Sequence, residues 1–191
     1  MRRISGVCGI VSPLIGLAAV VTTIRNSPWF SWTESELSIL GVEGSMATLF
    51  NLGLIITGFL SLVFAIGFGR SLVPGRVGHF GVTSLLLGSL SIAAVGFLPR
   101  TFDLPHDSAS IAFFVLISIA LLLIGFSIIT RAPKLYGVLS LTAGVITVIF
   151  LLAPWPWPGG AIEQLLSCMP WSLWTLAFGV RLLVNVRPII V

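Results

Sequence analysis

The chain has 191 residues, of which 57% are hydrophobic and only 8% charged, with ten Lys and Arg against six Asp and Glu and a net charge of +4. An ordinary soluble domain is about 25% charged, so water alone cannot solvate this fold and a bilayer must be part of the solvent. The positive charge does not mark a nucleic-acid binder, because the basic residues are scattered among short turns instead of gathered in a patch.

The apolar runs predict an all-α membrane protein, a bundle of six transmembrane helices forming one integral membrane domain over 1–191. The first run, 5–24, is long enough to cross ~30 Å of hydrocarbon. It follows Arg2 and Arg3 and lacks a small-residue cleavage site, so it reads as an uncleaved helix, with Pro13 kinking it. Gly9, Ser12 and Gly16 share one face and allow close helix contact.

Next comes the loop NSPWFSWTESELSILGVEGS. Trp29, Phe30 and Trp32 have the character of interfacial anchors. Thr33 and Glu36 stand at capping-box spacing, which predicts a short interfacial helix over about 34–40, ended by Gly41. The second span is about 46–68, with Asn51 in its outer third and suited to an interhelical hydrogen bond. The third is about 80–98, rich in Ser and Gly, and the fourth about 108–129, with Asp107 or Ser108 as its cap. The fifth is about 136–153. The turn PWPWPGG, with alternating prolines, cannot be helical throughout. The sixth is about 161–184, bent at Pro170, and a short tail covers 185–191. Cys8 and Cys168 fall near opposite ends of the spans, so no disulfide is expected.

Six spans put both termini on one side, together with Arg2, Arg3, Arg70, Arg76, Arg131, Lys134, Arg181 and Arg187. The other side holds Arg25 and Arg100. This asymmetry predicts cytoplasmic termini in a plasma membrane, with Arg181 snorkelling from near a helix end. All six acids and all six tryptophans fall on the outer side, giving an acidic, aromatic outer rim.

The strings SPWFSWTESELSILGV and LFNLGLIITG, then GFLPRTFDLPHDSASIAFF and GGAIEQL, cover nearly the whole chain in order. In these the chain resembles the prokaryotic integral membrane family catalogued as domain of unknown function 998. That family usually has an acid where Ile39 stands and a proline where Ile162 stands. The resemblance implies a six-helix membrane protein and brings no established activity.

Candidate chemistry sits on the outer loops. His106 with Asp103, Glu34 and Glu163 could relay a proton or bind a divalent cation. Most of the acids have structural reasons to be there: Glu36 in the capping box, Asp107 at a helix start, and Glu163 in a first helical turn, where negative charge suits the dipole. No phosphate loop, HExxH, paired-His motif or cofactor fingerprint is present. No ionisable group sits near the centre of any span, which argues against a coupled transporter. The leading expectation is a non-catalytic bundle that binds membrane lipids, a membrane-protein partner or a second copy. It would do so through Trp29, Trp32, Trp155, Trp157 and Asn51, with no metal, cofactor or nucleic acid. The alternative is a small enzyme acting on a lipid headgroup with His106 and nearby carboxylates, and a passive pore comes third.

Overall fold

A computed structural model describes residues 1–73, 75–130 and 134–184 of the protein. Arg131, Arg187 and the predicted tail 185–191 lie outside the described residues. The long helices are α1 (Arg2–Arg25), α2 (Ala47–Leu72), α3 (Gly75–Phe97), α4 (Leu104–Ile129), α5 (Lys134–Leu152) and α6 (Ala161–Leu183), with 3-10 turns at Leu37–Gly41 and Arg100–Phe102. Each of the six is long and apolar enough to cross a membrane. Even α5, the shortest at 19 residues, reaches about 28 Å at 1.5 Å per residue. The protein is a multi-pass membrane protein with a helical-bundle fold.

Hydrocarbon offers no hydrogen bonds, so each span must satisfy its own backbone, and a helix does so. Several hydroxyl side chains inside the spans are satisfied in the same way. Ser89, Ser140, Thr147 and Thr175 each donate to the carbonyl four residues back, at 2.8–3.0 Å.

The helices form a ring in chain order, each packed on its neighbours, and α6 returns to close on α1. Closure uses glycine. A Cβ on Gly179 would lie 2.9 Å from the Gly6 carbonyl oxygen, the Gly9 carbonyl carbon and the Ile10 nitrogen, all backbone atoms. Between α1 and α2 the Ser12 hydroxyl meets that of Ser61 at 2.6 Å and donates to the Thr57 carbonyl at 3.0 Å. Small and hydroxylated residues are the adhesive expected where lipid tails are as apolar as the helices themselves.

The interior is aromatic. Phe64, Phe68, Trp174 and Phe178 pack with centroids 4.7–5.9 Å apart. Two expectations are corrected here. Arg181 does not snorkel: it is 5% exposed, with its guanidinium 3.6 Å from the Tyr136 ring centroid. A desolvated cation–π contact of this kind is worth ~2 kcal/mol and offsets part of the cost of burying the charge; Nε and one terminal nitrogen of Arg181 are buried without a hydrogen-bond partner. Trp171 and Trp174 do not join an outer rim but are buried in the core, where the Trp174 indole donates to the Ser140 hydroxyl at 2.7 Å.

Element starts also differ. α3 begins at Gly75 rather than near 80, and α4 at Leu104 rather than near 108. Asp103, at φ +42°, occupies the cap position expected for Asp107 or Ser108, and its carbonyl accepts from the Asp107 amide at 2.9 Å. The loop after α1 holds a 3-10 turn, Leu37–Gly41, instead of a surface helix over 34–40. No capping box forms. The Thr33 hydroxyl contacts that of Ser31 at 3.3 Å, and the Glu36 carboxylate accepts from Ser38 at 3.0 Å. The reason is apolar: Leu37 and Leu40 bury against Val20, Phe50 and Ala161, which draws the turn into the bundle. Asn51 anchors that turn by donating to the Gly41 carbonyl at 2.8 Å, where an interhelical bond was expected.

This loop is stapled to the start of α6. Gly159 donates to the Thr33 carbonyl at 2.8 Å, Ala161 to the Ser35 carbonyl at 3.0 Å, and the Leu37 amide to Gln164 Oε1 at 2.9 Å. A Cβ at Gly159 would come within 2.5–2.6 Å of the Glu34 and Ser35 backbone.

Two predictions follow from these backbone contacts. Gly179→Leu should part α6 from α1 and cost at least ~1–3 kcal/mol, the usual range for overpacking. Thermal unfolding in detergent measures this, and an unchanged midpoint would contradict the ring closure. Gly159→Val should release the 27–41 loop, read as faster amide hydrogen exchange at Ser35 and Leu37. Unaltered exchange there would show that the staple is not structural.

Candidate functional site

Where α1 and α6 leave their glycine contact, their side chains enlarge and a cavity of about 240 Å³ opens between them. It lies toward the distal end of the bundle, the end that carries 26–46, 98–103 and 153–160. Pro13, Leu14, Leu17 and Val20 of α1 form one wall, and Leu165, Cys168, Met169 and Leu173 of α6 the other. Phe50, Leu54 and Thr57 of α2, Ile92 and Val95 of α3 and Phe113 of α4 form the back. Leu14, Leu17, Met169 and Leu173 are also large exposed apolar side chains, 40–62% accessible. The mouth therefore faces sideways, toward hydrocarbon. Pro13 and Pro170, each well inside its helix, belong to these two helices. An internal proline removes a backbone hydrogen bond and bends the helix, which suits a seam that is shut at one end and parted at the other.

The distal end of the cavity is polar, lined by Glu36, Ser38, His106, Asp107, Ser110 and Gln164. Arg100 braces it, pairing with Asp107 and with Glu36 at 3.5 Å. One cation thus joins the loop after α1 to the first turn of α4. All three side chains are a third to a half exposed, so each pair contributes on the order of 0.2–1 kcal/mol. Its larger effect is to fix geometry.

His106 is 3% exposed. The early start of α4 places it in the first helical turn, where Nδ1 lies 2.6 Å from the Leu98 carbonyl just beyond α3. A carbonyl only accepts, so Nδ1 carries the hydrogen, and in the neutral ring the lone pair is on Nε2. The ring lines the cavity, and Nε2 is the nitrogen left for a ligand.

The remaining expected site residues lie elsewhere. Glu34 and Asp103 are exposed, Glu163 is half-buried in the first turn of α6, and none of the three lines the cavity. Among the described residues no group of three His, Cys, Asp or Glu side chains could hold a metal ion. Trp29, Trp32 and Trp157 are 38–41% exposed at the distal end, and Trp155 stacks on Trp157 at 5.9 Å with its indole donating to the Phe150 carbonyl. Asn51 is occupied with the Gly41 carbonyl.

Sequence reasoning missed Arg100, Gln164, Ser110 and the second role of Glu36. A signal for Arg100 existed, since it is a lone cation among acids in its turn. Gln164 carried none, because its function depends on a loop more than a hundred residues earlier.

A family model described as "Protein of unknown function (DUF998)" matches residues 10–181. No curated protein and no solved structure matches the chain. The family match covers every long helix in whole or in large part. The chain belongs to this family, domain of unknown function 998.

Proposed function

We propose that the protein is a non-catalytic, lipid-binding helical bundle of the plasma membrane, and that its ligand enters the α1–α6 cavity sideways from the outer leaflet. The observation that carries this reading is the position of the mouth: the cavity is bounded by side chains that are themselves exposed on a membrane-spanning surface. An apolar chain would leave one hydrocarbon environment for another, and its polar end would come to rest among Glu36, His106, Asp107 and Gln164. Drug-sized pockets run ~300–1,000 Å³, so a cavity of about 240 Å³ suits one chain and not a whole two-chain lipid. Trp29, Trp32 and Trp157 add an aromatic collar that suits headgroup depth.

Sidedness follows from charge. Arg2, Arg3, Arg70, Arg76 and Lys134 lie toward the end that carries the N-terminus, and Glu34, Glu36, Glu43, Asp103, Asp107 and Glu163 toward the distal end. This supports cytoplasmic termini and an outer-facing cavity head.

A second reading makes His106 a general base acting on a bound headgroup, and the free Nε2 at the cavity favours it. Against it, Glu34, Asp103 and Glu163 lie away from the cavity, and the two carboxylates that line it, Glu36 and Asp107, are both paired with Arg100.

Cavity filling tests the proposal. Protein released from nanodiscs should retain one lipid or lipid-derived chain by native mass spectrometry. Gly16→Phe and Leu165→Trp, each filling the cavity from a different helix, should each lower that occupancy at least tenfold while the helical circular dichroism stays unchanged. Equal retention in both folded variants, or no retention by the native protein, would overturn it.

A further inference from the structure

The two charged side chains lining the cavity's polar end, Glu36 and Asp107, are both acceptors, set among Ser38, His106, Ser110 and Gln164. Glu36 uses Oε2 for both Ser38 and Arg100, and Asp107 uses Oδ1 for Arg100. The second oxygen of each carboxylate is uncommitted. In its neutral form buried His106 has its hydrogen on Leu98 and offers the Nε2 lone pair. Gln164 has its oxygen taken by the Leu37 amide, so its amide nitrogen remains as a donor beside the Ser110 hydroxyl. Two carboxylates against one guanidinium leave the cluster with one net negative charge. Arg100 is not among the lining residues and braces the cluster from behind, and no lysine or arginine lines the cavity.

An anionic head placed there would meet like charge in a partly desolvated site and find no lysine or arginine in the lining to pair with it. A head with N–H or O–H groups would satisfy the lone pairs it meets, and a positive charge would add attraction. A head without a donor would displace water from the half-exposed carboxylates and from buried His106 and return no hydrogen bond to them. The apolar trough behind accepts a single alkyl chain.

We propose that the cavity selects a single-chain amphiphile whose head donates hydrogen bonds and bears no negative charge, in its simplest form a long-chain alcohol or amine. This rests on the reading of the cavity as a chain-binding site and adds selection by the head.

The test uses the full-length protein in phosphatidylcholine nanodiscs. Separate samples carry dodecan-1-ol, dodecylamine or dodecane-1-sulfonate at equal membrane mole fraction, and native mass spectrometry counts protein with one adduct. The alcohol and the amine should each occupy the protein at least tenfold more than the sulfonate. The double variant Glu36→Gln, Asp107→Asn frees the Arg100 charge, and sulfonate occupancy should then rise at least tenfold while that of the amine falls. Glu36→Gln alone, which keeps the Arg100–Asp107 pair, should move occupancy in the same direction and serves where the double variant is unstable. If the sulfonate binds the native protein as well as the alcohol does, or if the charge change leaves the order untouched, selection by the head is wrong while chain binding stands. If none of the three binds and no lipid is retained, chain binding fails with it.

Discussion

The backbone of a membrane span can find hydrogen bonds only within itself, and that constraint shapes the rest of this molecule. It dictates helices, and it removes the usual hydrophobic drive for one helix to prefer another over lipid. What then decides packing is how closely backbones can approach. Gly6, Gly9 and Gly179 bring α1 and α6 together at the end carrying the N-terminus, and Ser12, Thr57 and Ser61 bind α1 to α2 farther along. Farther along the same seam the small residues give way to Leu14, Leu17, Met169 and Leu173, which line the cavity. A tight junction and an open one lie on one helix pair, and residue size separates them.

The distal loops complete the enclosure. They are not loose connections, because the turn Leu37–Gly41 buries two leucines and is tied to α6 through Gly159, Ala161 and Gln164. Arg100 then links that loop to α4 through two carboxylates. The cavity therefore has a polar roof over an apolar trough.

Much of the fold was legible in the sequence because hydrocarbon imposes a simple code: length and apolarity gave six spans, and the family strings placed the loops in order. The errors have a common cause. Arg181, Trp171 and Trp174 were placed by the preference of their residue types for interfaces, yet each found a partner or packed in the interior, Arg181 on Tyr136 and Trp174 on Ser140. Thr33 and Glu36 matched a local motif, but burial of Leu37 and Leu40 and the long-range pairing with Arg100 overrode it. Of the candidate site, His106 stood out as a histidine at a helix start. Its orientation by the Leu98 carbonyl depends on the close of α3, and the cavity it lines depends on the spacing of α1 and α6. Neither is written in any short stretch of chain.

The central claim is that the α1–α6 seam is shut by glycine at one end and parted at the other around a bound chain. An electron cryomicroscopy map of the protein in lipid nanodiscs tests it most directly. The account predicts elongated non-protein density entering between Leu14, Leu17, Met169 and Leu173 and ending beneath His106. A map in which those four side chains interdigitate along a closed seam, with no density between the helices, would contradict it.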